Sequence, residues 1–439
     1  MQFRSRCALI AAHALFFASI AQAASPAGDP IAPLLQQLGA DSWQKRDQAQ
    51  KSLVLFGDEA APQLQKLLAS TGDEEIRTRA RAALLQIDEN RMAGPSYVTL
   101  DFKDTHPRKI FEALAKQAQV EFRCVPDNLW ESRNWRPVTI KIERQPFWVA
   151  MRELCEKSGL VQQYGYNLGN GRCLVVGQSG GSWISAPSTV SEAFLVAATQ
   201  IHRSNTVNLT SANGQHDEFN IQFMAYGEPK LRVIQYASNV KLIEAVDDHG
   251  NSLLDDEPAD VSLSSGGTGS WSLYARLKYP QSNSGKRIAR LKGEAFFVLQ
   301  TGAHKVELPD IMSRKDVSKT IAGHRYCIKR AEQQDHYYSV QVRIDRDGRT
   351  DQEWSSLQTN LYYNNGIELR TADGQTLQYN GSSAVSSTGD SLEMTYQFSR
   401  YDPIDGQPRQ ESPLTLVWEI PTDSKLVSIP FEFKDLPLP

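Results

Sequence analysis

The sequence is short of everything that would name a reaction. No CxxC, HxH or HExxH occurs, which leaves dithiol redox, zinc-knuckle and metalloprotease readings without support. Positive charge is not in excess: 47 Lys+Arg against 51 Asp+Glu give a net charge of −4. A chain of that balance has no general attraction for nucleic acid or anionic lipid. Gly (28) and Pro (21) are too few for a collagen-like or largely disordered chain. Beyond the N-terminus no run reaches the ~18 apolar residues that span a bilayer. What is present is a chain of 439 residues, 40% hydrophobic, enough for about three domains of ~150 residues with a core each.

Residues 1–23 read as a secretory signal peptide. Arg4 and Arg6 form the basic start, Ala8 to Ile20 the apolar stretch, and Ala21-Gln22-Ala23 the small-residue cleavage site. Cys7 precedes the apolar run and lacks a lipoprotein context. Cleavage removes two arginines and no acid, so the mature chain becomes more acidic. An exported, periplasmic protein without a membrane span is the expectation. Four cysteines follow the leader: Cys124, Cys155, Cys173 and Cys327. An oxidising compartment permits pairing, and four cysteines allow three complete connectivities, which the sequence leaves open. Cys155 falls on the apolar face of a predicted helix and reads as a buried thiol.

Residues 29–92 read as helical repeats. Pro33, Leu35 and Leu38 recur 29 positions later as Pro62, Leu64 and Leu67. Arg46, Ala49 and Leu53 recur at an offset of 31 as Arg77, Ala80 and Leu84. Ile76, Ala80, Ala83, Leu84 and Ile87 share one helical face. Asp41 or Ser42, and Asp73, stand where each second helix needs an N-cap. The pattern P-x-L-x-x-L … D … R-x-x-A-x-x-x-L resembles short bacterial HEAT repeats. Because a repeat cannot bury its apolar face alone, two of them imply support from a neighbouring domain or a partner.

A second repeat runs at an offset of 40 without gaps: VTLDFKDTHPRKIFEALAKQAQV (98–120) aligns with VTIKIERQPFWVAMRELCEKSGL (138–160). Val98, Leu100 and Phe102 alternate as one strand face and match Val138, Ile140 and Ile142. Ile110 and Leu114 match Ala150 and Leu154 on the following helices, near whose starts stand Pro107 and Pro146. The pattern predicts a duplicated βαβ unit. VTLDFKDTHPRKIFEALAKQA resembles the secretin and TonB N-terminus short (STN) domain, over 95–178. That resemblance implies an envelope docking or signalling module. Neither a secretin core nor a barrel follows, so pore formation is not implied.

The remainder is β-rich and also repeats, near an offset of 125. Gly250 and Leu253 match Gly374 and Leu377; Val306, Leu308 and Asp310 match Phe431, Phe433 and Asp435. Alternating runs such as WSLYARLKY and YYSVQVRI, separated by Gly, Asn and Asp turns, predict two β-sandwiches at 184–312 and 313–439. The fold class expected is therefore multidomain: a short all-α repeat segment, an α+β duplicated βαβ module, then two all-β sandwich-like domains.

Several segments invite a chemical reading. Gly177-Gln178-Ser179-Gly180-Gly181 spells G-x-S-x-G, but a nucleophile elbow needs a helix next and SWISAPS supplies none, so a linker is expected. Asp345, Asp347, Asp351 and Glu353 cluster around Gly348. The glycine stands fourth rather than sixth, so a hairpin turn is the better reading and a calcium loop the alternative. The seven histidines that follow the leader (106, 202, 216, 249, 304, 324, 336) are scattered. Trp130 and Trp135, in the polar loop DNLWESRNWRP, are candidate partner contacts or else lids over their own domain. Trp271, Tyr274 and Tyr279 are weaker candidates for stacking on a glycan. No catalytic residue, cofactor site or metal site is assigned. The function expected is non-enzymatic protein–protein interaction or scaffolding in the cell envelope. A polysaccharide-binding protein, or a hydrolase with dispersed site residues, are the alternatives.

Overall fold

The computed structural model describes residues 29–439 apart from 132–133, 164–172, 179–185, 208–214, 257–260, 266–268, 322–323, 352–353, 355–356, 359–360, 362–365, 402–405 and 409–412. The leader assigned to residues 1–23 lies outside the described residues. Twenty strands in five sheets dominate, beside six α-helices, among the described residues. The protein is β-rich and built of several sheets. No described helix is long and apolar enough to cross a membrane. The chain divides into two units, residues 1–87 and 88–439.

In the first unit, α1 (Ile31–Gln37), α2 (Trp43–Phe56), α3 (Ala61–Ser70) and the start of α4 (Glu74–Ala93) enclose a small core. Leu38, Ala49, Leu53, Leu64, Ala80 and Ala83 are fully buried in it. Ala49 and Ala80, 31 residues apart, are both fully buried in that core. The arginines of the same repeat tie each helix to the turn before it: Arg46 donates to Ala40 O at 2.7 Å, and Arg77 to Thr71 O at 2.9 Å. Asp73 caps α4, its Oδ1 accepting from the N–H groups of Glu75 (2.8 Å) and Ile76 (3.1 Å). Ser42 precedes α2 but does not cap it, because its hydroxyl donates to the Gln44 side chain at 2.8 Å.

The second unit begins with β1 (Tyr97–Thr105), α5 (Pro107–Gln117), β2 (Glu121–Val125), β3 (Val138–Pro146), α6 (Phe147–Ser158), β4 (Val161–Gln162) and β5 (Cys173–Gly177). β1 and β3 form an antiparallel pair; β2, β5 and β4 form a three-stranded sheet in which β2 and β5 run parallel. Residues 40 apart occupy matching places. Gln117 brackets the outer edge of β1, accepting from Thr99 N–H (2.8 Å) and donating to Thr99 O (2.9 Å). Lys157 does the same for β3 with one bond, to Thr139 O at 2.9 Å.

The strands that follow are β6 (Ser188–Ser191), β7 (Phe194–Val207), β8 (Gln215–Gly227), β9 (Val233–Ala237), β10 (Lys241–Asp247), β11 (Leu263–Ser265), β12 (Ser270–Arg276) and β13 (Arg287–Leu308). The sheet β12-β8-β7-β6 faces β9, β10 and β13 across one apolar core. Phe194–Ala197 is buried on both faces, which is why this strand starts as an unbroken apolar run. Phe194 and Val196 enter that core. Leu195 and Ala197 enter the core of the preceding βαβ segment, together with Trp148 and Tyr226. The indole N–H of Trp148 donates to Ala193 O at 3.2 Å, so the junction is apolar yet satisfied.

Next come β14 (Lys315–Ile321), β15 (His324–Gln333), β16 (Tyr337–Asp345), β17 (Ile367–Arg370), β18 (Tyr379–Ser387), β19 (Ser391–Ser399) and β20 (Thr415–Pro437). The order β14-β15-β16-β19 repeats β6-β7-β8-β12. β17 meets β20 with the register that β10 uses on β13: Glu368↔Val417 and Leu369↔Leu416 against Glu244↔Lys292 and Ala245↔Leu291. The turns that follow also match. Leu253 N–H donates to Ala245 O and Leu377 N–H to Leu369 O, both at 2.8 Å. Gly250 and Gly374 both sit at φ 84°, where a side chain would be strained.

β13 and β20 are long enough to serve both sandwiches. They pair antiparallel from Arg287↔Pro437 to Leu308↔Leu416. Ala295, Phe297 and Leu299 of β13 share the first core with Ile429, Phe431, Phe433 and Leu436 of β20. Val306 and Leu308 share the second core with Leu416, Trp418 and Ile420. Each sandwich is thus completed by the extension of the other's last strand.

Candidate functional site

The candidate site lies at one end of the βαβ segment. Pro107 opens α5, where its missing N–H costs nothing, and His106 ahead of it accepts from Arg108 N–H through Nδ1 at 3.3 Å. Amphipathic spacing buries Ile110, Phe111, Leu114 and Ala115 of α5. Phe111 stacks on Phe122 of β2 with ring centroids 6.2 Å apart and planes 5° from parallel. Phe122 leads to Trp130 at 6.4 Å, Trp130 to Trp135 at 5.3 Å, and His106 meets Trp130 edge-on at 5.6 Å.

Both tryptophans are half-buried at the rim of the module core. Trp135 donates its indole N–H to Leu129 O at 3.3 Å. The Trp130 indole N–H is buried and finds no acceptor among the described residues. The structure therefore brings the two candidate residues together and links them to His106 and Phe122, which lie apart from them in sequence. The result is a row of aromatic faces with exposed charges beside it, among them the Arg108–Glu112 pair at 2.8 Å. Such a row suits an apolar, aromatic or cationic side chain.

The other candidate residues are dispersed. Trp271 is no stacking platform: it is buried between Phe194 at 6.1 Å and Phe297 at 5.4 Å. Tyr274 is exposed, and Tyr279 lies beneath the Arg203 guanidinium at 3.5 Å. Asp345-Arg346-Asp347-Gly348 makes a turn, with Asp347 at φ 43° and Gly348 at φ 77°. Its carboxylates face arginines rather than one another: Asp345 pairs with Arg343 at 3.0 Å and Asp351 with Arg346 at 2.5 Å. Asp347 accepts from Arg325 N–H at 2.9 Å, and Glu353 lies outside the described residues. Among the described residues no group of three or more His, Cys, Asp or Glu is placed to hold a metal ion.

Gly177 ends β5, while Ser179 to Gly181 lie outside the described residues. His249 contacts Asn283 O at 3.1 Å, His336 lies 6.0 Å from the Tyr401 ring, and His202 and His304 are exposed. The side chains of His216 and His324 lie outside the described residues. Cys124, Cys155, Cys173 and Cys327 are all buried, and none of the four forms a disulfide. Burial pushes the thiols of Cys155 and Cys173 well up, which makes them unreactive at neutral pH.

Two of the buried ionisable side chains stand where the sequence gives no sign of burial. Glu228 and Arg232 lie in GEPKLR between β8 and β9, a stretch indistinguishable from an ordinary polar turn. Arg232 is 3% exposed and stands 3.8 Å from both Glu368 and Glu419 of the second sandwich. Glu228 is 2% exposed; its two carboxylate oxygens lie 2.9 and 3.1 Å from the N–H of Ser96. Burial raises its pKa from 4.5 to about 7, against the pull of Lys230 and of the Ser96 hydrogen bonds. No family model, curated protein or solved structure matches the chain.

Proposed function

We propose that the chain is an exported, non-enzymatic protein–protein interaction or scaffold protein of the cell envelope, periplasmic after removal of residues 1–23. In this reading HEAT-like repeats at 29–92 and an STN-like βαβ module at 95–178 dock partner proteins. Tandem β-sandwich repeats at 184–312 and 313–439, joined by their exchanged last strands, carry them. The observation that supports it is the Trp130–Trp135 pair, 5.3 Å apart and half-buried. Tryptophan is enriched among the few residues that carry most of the binding energy of a protein interface. The test is affinity capture from an envelope extract with the mature chain and with a chain lacking residues 29–178. A protein retained by the first and lost from the second supports docking. Equal retention by both, or none by either, overturns it.

A further inference from the structure

We infer that Glu228 is a proton-operated latch at the joint between the βαβ module and the first sandwich. This goes beyond the docking proposal and does not depend on it. Three segments are linked through this residue: Ser96 at its carboxylate, Ala193 at its backbone N–H, and Phe147 by way of Ser96. Ser96, one residue before β1, donates its N–H to both carboxylate oxygens, while its carbonyl accepts from Phe147 N–H, the first residue of α6, at 2.8 Å. The backbone N–H of Glu228 donates to Ala193 O at 3.0 Å, the same carbonyl that receives the Trp148 indole. The Glu228 carbonyl accepts from Leu231 N–H at 2.9 Å, which folds the loop back beneath the joint.

An ionised carboxylate offers about four acceptor positions and needs them filled when it leaves water. Here one backbone N–H serves both oxygens, and the Lys230 ammonium stands off at 3.8 Å, the closest cation among the described residues. Other titratable and charged groups of this corner, among the described residues, are Tyr226 of β8, whose pKa burial raises, and those grouped around Tyr97. Tyr97 on β1 feels Glu228, Glu192 of the β6–β7 turn and Arg144 of β3, and burial is the main reason its own pKa is raised. The two carboxylates outweigh the arginine in that balance. For Glu228 itself burial outweighs Lys230 and the Ser96 hydrogen bonds, so the joint favours its neutral form.

The sign follows from the direction of the shift. A carboxyl whose pKa is raised in the closed joint, to about 7 from 4.5, binds a proton more tightly there than when open. Its stabilisation is complete below 4.5, falls as pH climbs towards 7, and is lost above. Over that window the opening equilibrium changes up to about tenfold per pH unit. The latch is closed in acid and loosened at neutral and higher pH.

The test is amide hydrogen exchange on the full chain from pH 5 to 8.5, expressed as protection factors so that intrinsic base catalysis is divided out. Protection at Ser96 and Phe147 is expected to fall by about tenfold or more between pH 5 and 7 and then to level off. Glu228→Gln is expected to abolish that slope while the core strands β7 and β8 keep theirs. Should Glu228→Gln not fold, Lys230→Met serves instead, moving the midpoint upward by removing the cation 3.8 Å from the carboxylate. The same slope in Glu228→Gln as in the parent, or an unmoved midpoint in Lys230→Met, overturns the latch.

Discussion

Asp104 and Arg144 stand 40 residues apart and hold the same left-handed backbone, at φ 46° and 43°. Each donates its N–H to the threonine hydroxyl of the opposite half: Asp104 to Thr139 at 3.0 Å, Arg144 to Thr99 at 3.1 Å. Those threonines are themselves 40 residues apart. The reciprocity makes β1 and β3 equivalent, and the helices after them present equivalent apolar faces. Gln119 and Gly159, which end those helices, also share a positive φ, 56° and 70°. The repeated sequence has thus become a repeated geometry with an approximate two-fold relation.

The tandem sandwiches carry the same logic in their turns. Gly250 and Gly374 have φ 84° and no atom within 4 Å of an added Cβ. Replacement by alanine meets only the backbone cost of the left-handed region, about 1 kcal/mol at either position. Gly250→Ala and Gly374→Ala should lower stability by similar amounts in urea unfolding. A neutral outcome at one of them would show that the two turns are not equivalent.

The strand exchange makes a less intuitive prediction. Phe431 lies near the C-terminus, yet it packs at 5.0 Å from Phe223 in the first core. Phe431→Ala should cost about 3–5 kcal/mol. By hydrogen exchange the loss should appear in β7, β8 and β13, and spare β15, β16 and β19. Loss confined to the second sandwich would contradict the exchange.

Arg232 joins the two sandwiches through Glu368 and Glu419, with both glutamates largely buried. Removing Arg232 withdraws the cation shared by two largely buried glutamates, of which Glu368 keeps its pair with Arg370, at a cost of up to about 3–5 kcal/mol. Arg232→Met should therefore be severely destabilising in thermal unfolding. Lys305→Met breaks an exposed pair with Glu307 and should stay within about 0.5 kcal/mol of the parent.

How much of this could be read from residues alone depends on the range of the interaction. Val98, Leu100 and Leu114 announce themselves by period, because alternation and helical spacing are local consequences of which face meets the core. The offsets of 40 and about 125 are legible for the same reason, as repeated local patterns. Partner choice between distant strands is not local. Phe431 and Phe433 alternate as well as Val306 and Leu308 do, but nothing in that alternation says which core receives them. Trp271 looked available for ligand because tryptophan is frequent at binding surfaces; three aromatic neighbours place it inside. Glu228 and Arg232 were invisible because burial of a turn residue depends on what folds over it. At the candidate site Trp130 and Trp135 were legible as tryptophans in a polar loop. Their linkage to His106 and Phe122 needed the fold.

The docking role of the aromatic row is tested most directly by replacing Trp135 and Trp130 while leaving the core intact. Both rings sit at the rim, so Trp135→Ala and the double variant with Trp130→Ala should keep the β-rich circular dichroism of the parent. Quantitative capture of the same envelope partner should fall at least tenfold in the double variant, with Tyr274→Ala, an exposed aromatic elsewhere, binding as the parent does. Undiminished capture by the folded double variant would contradict the assignment of this row as the docking surface.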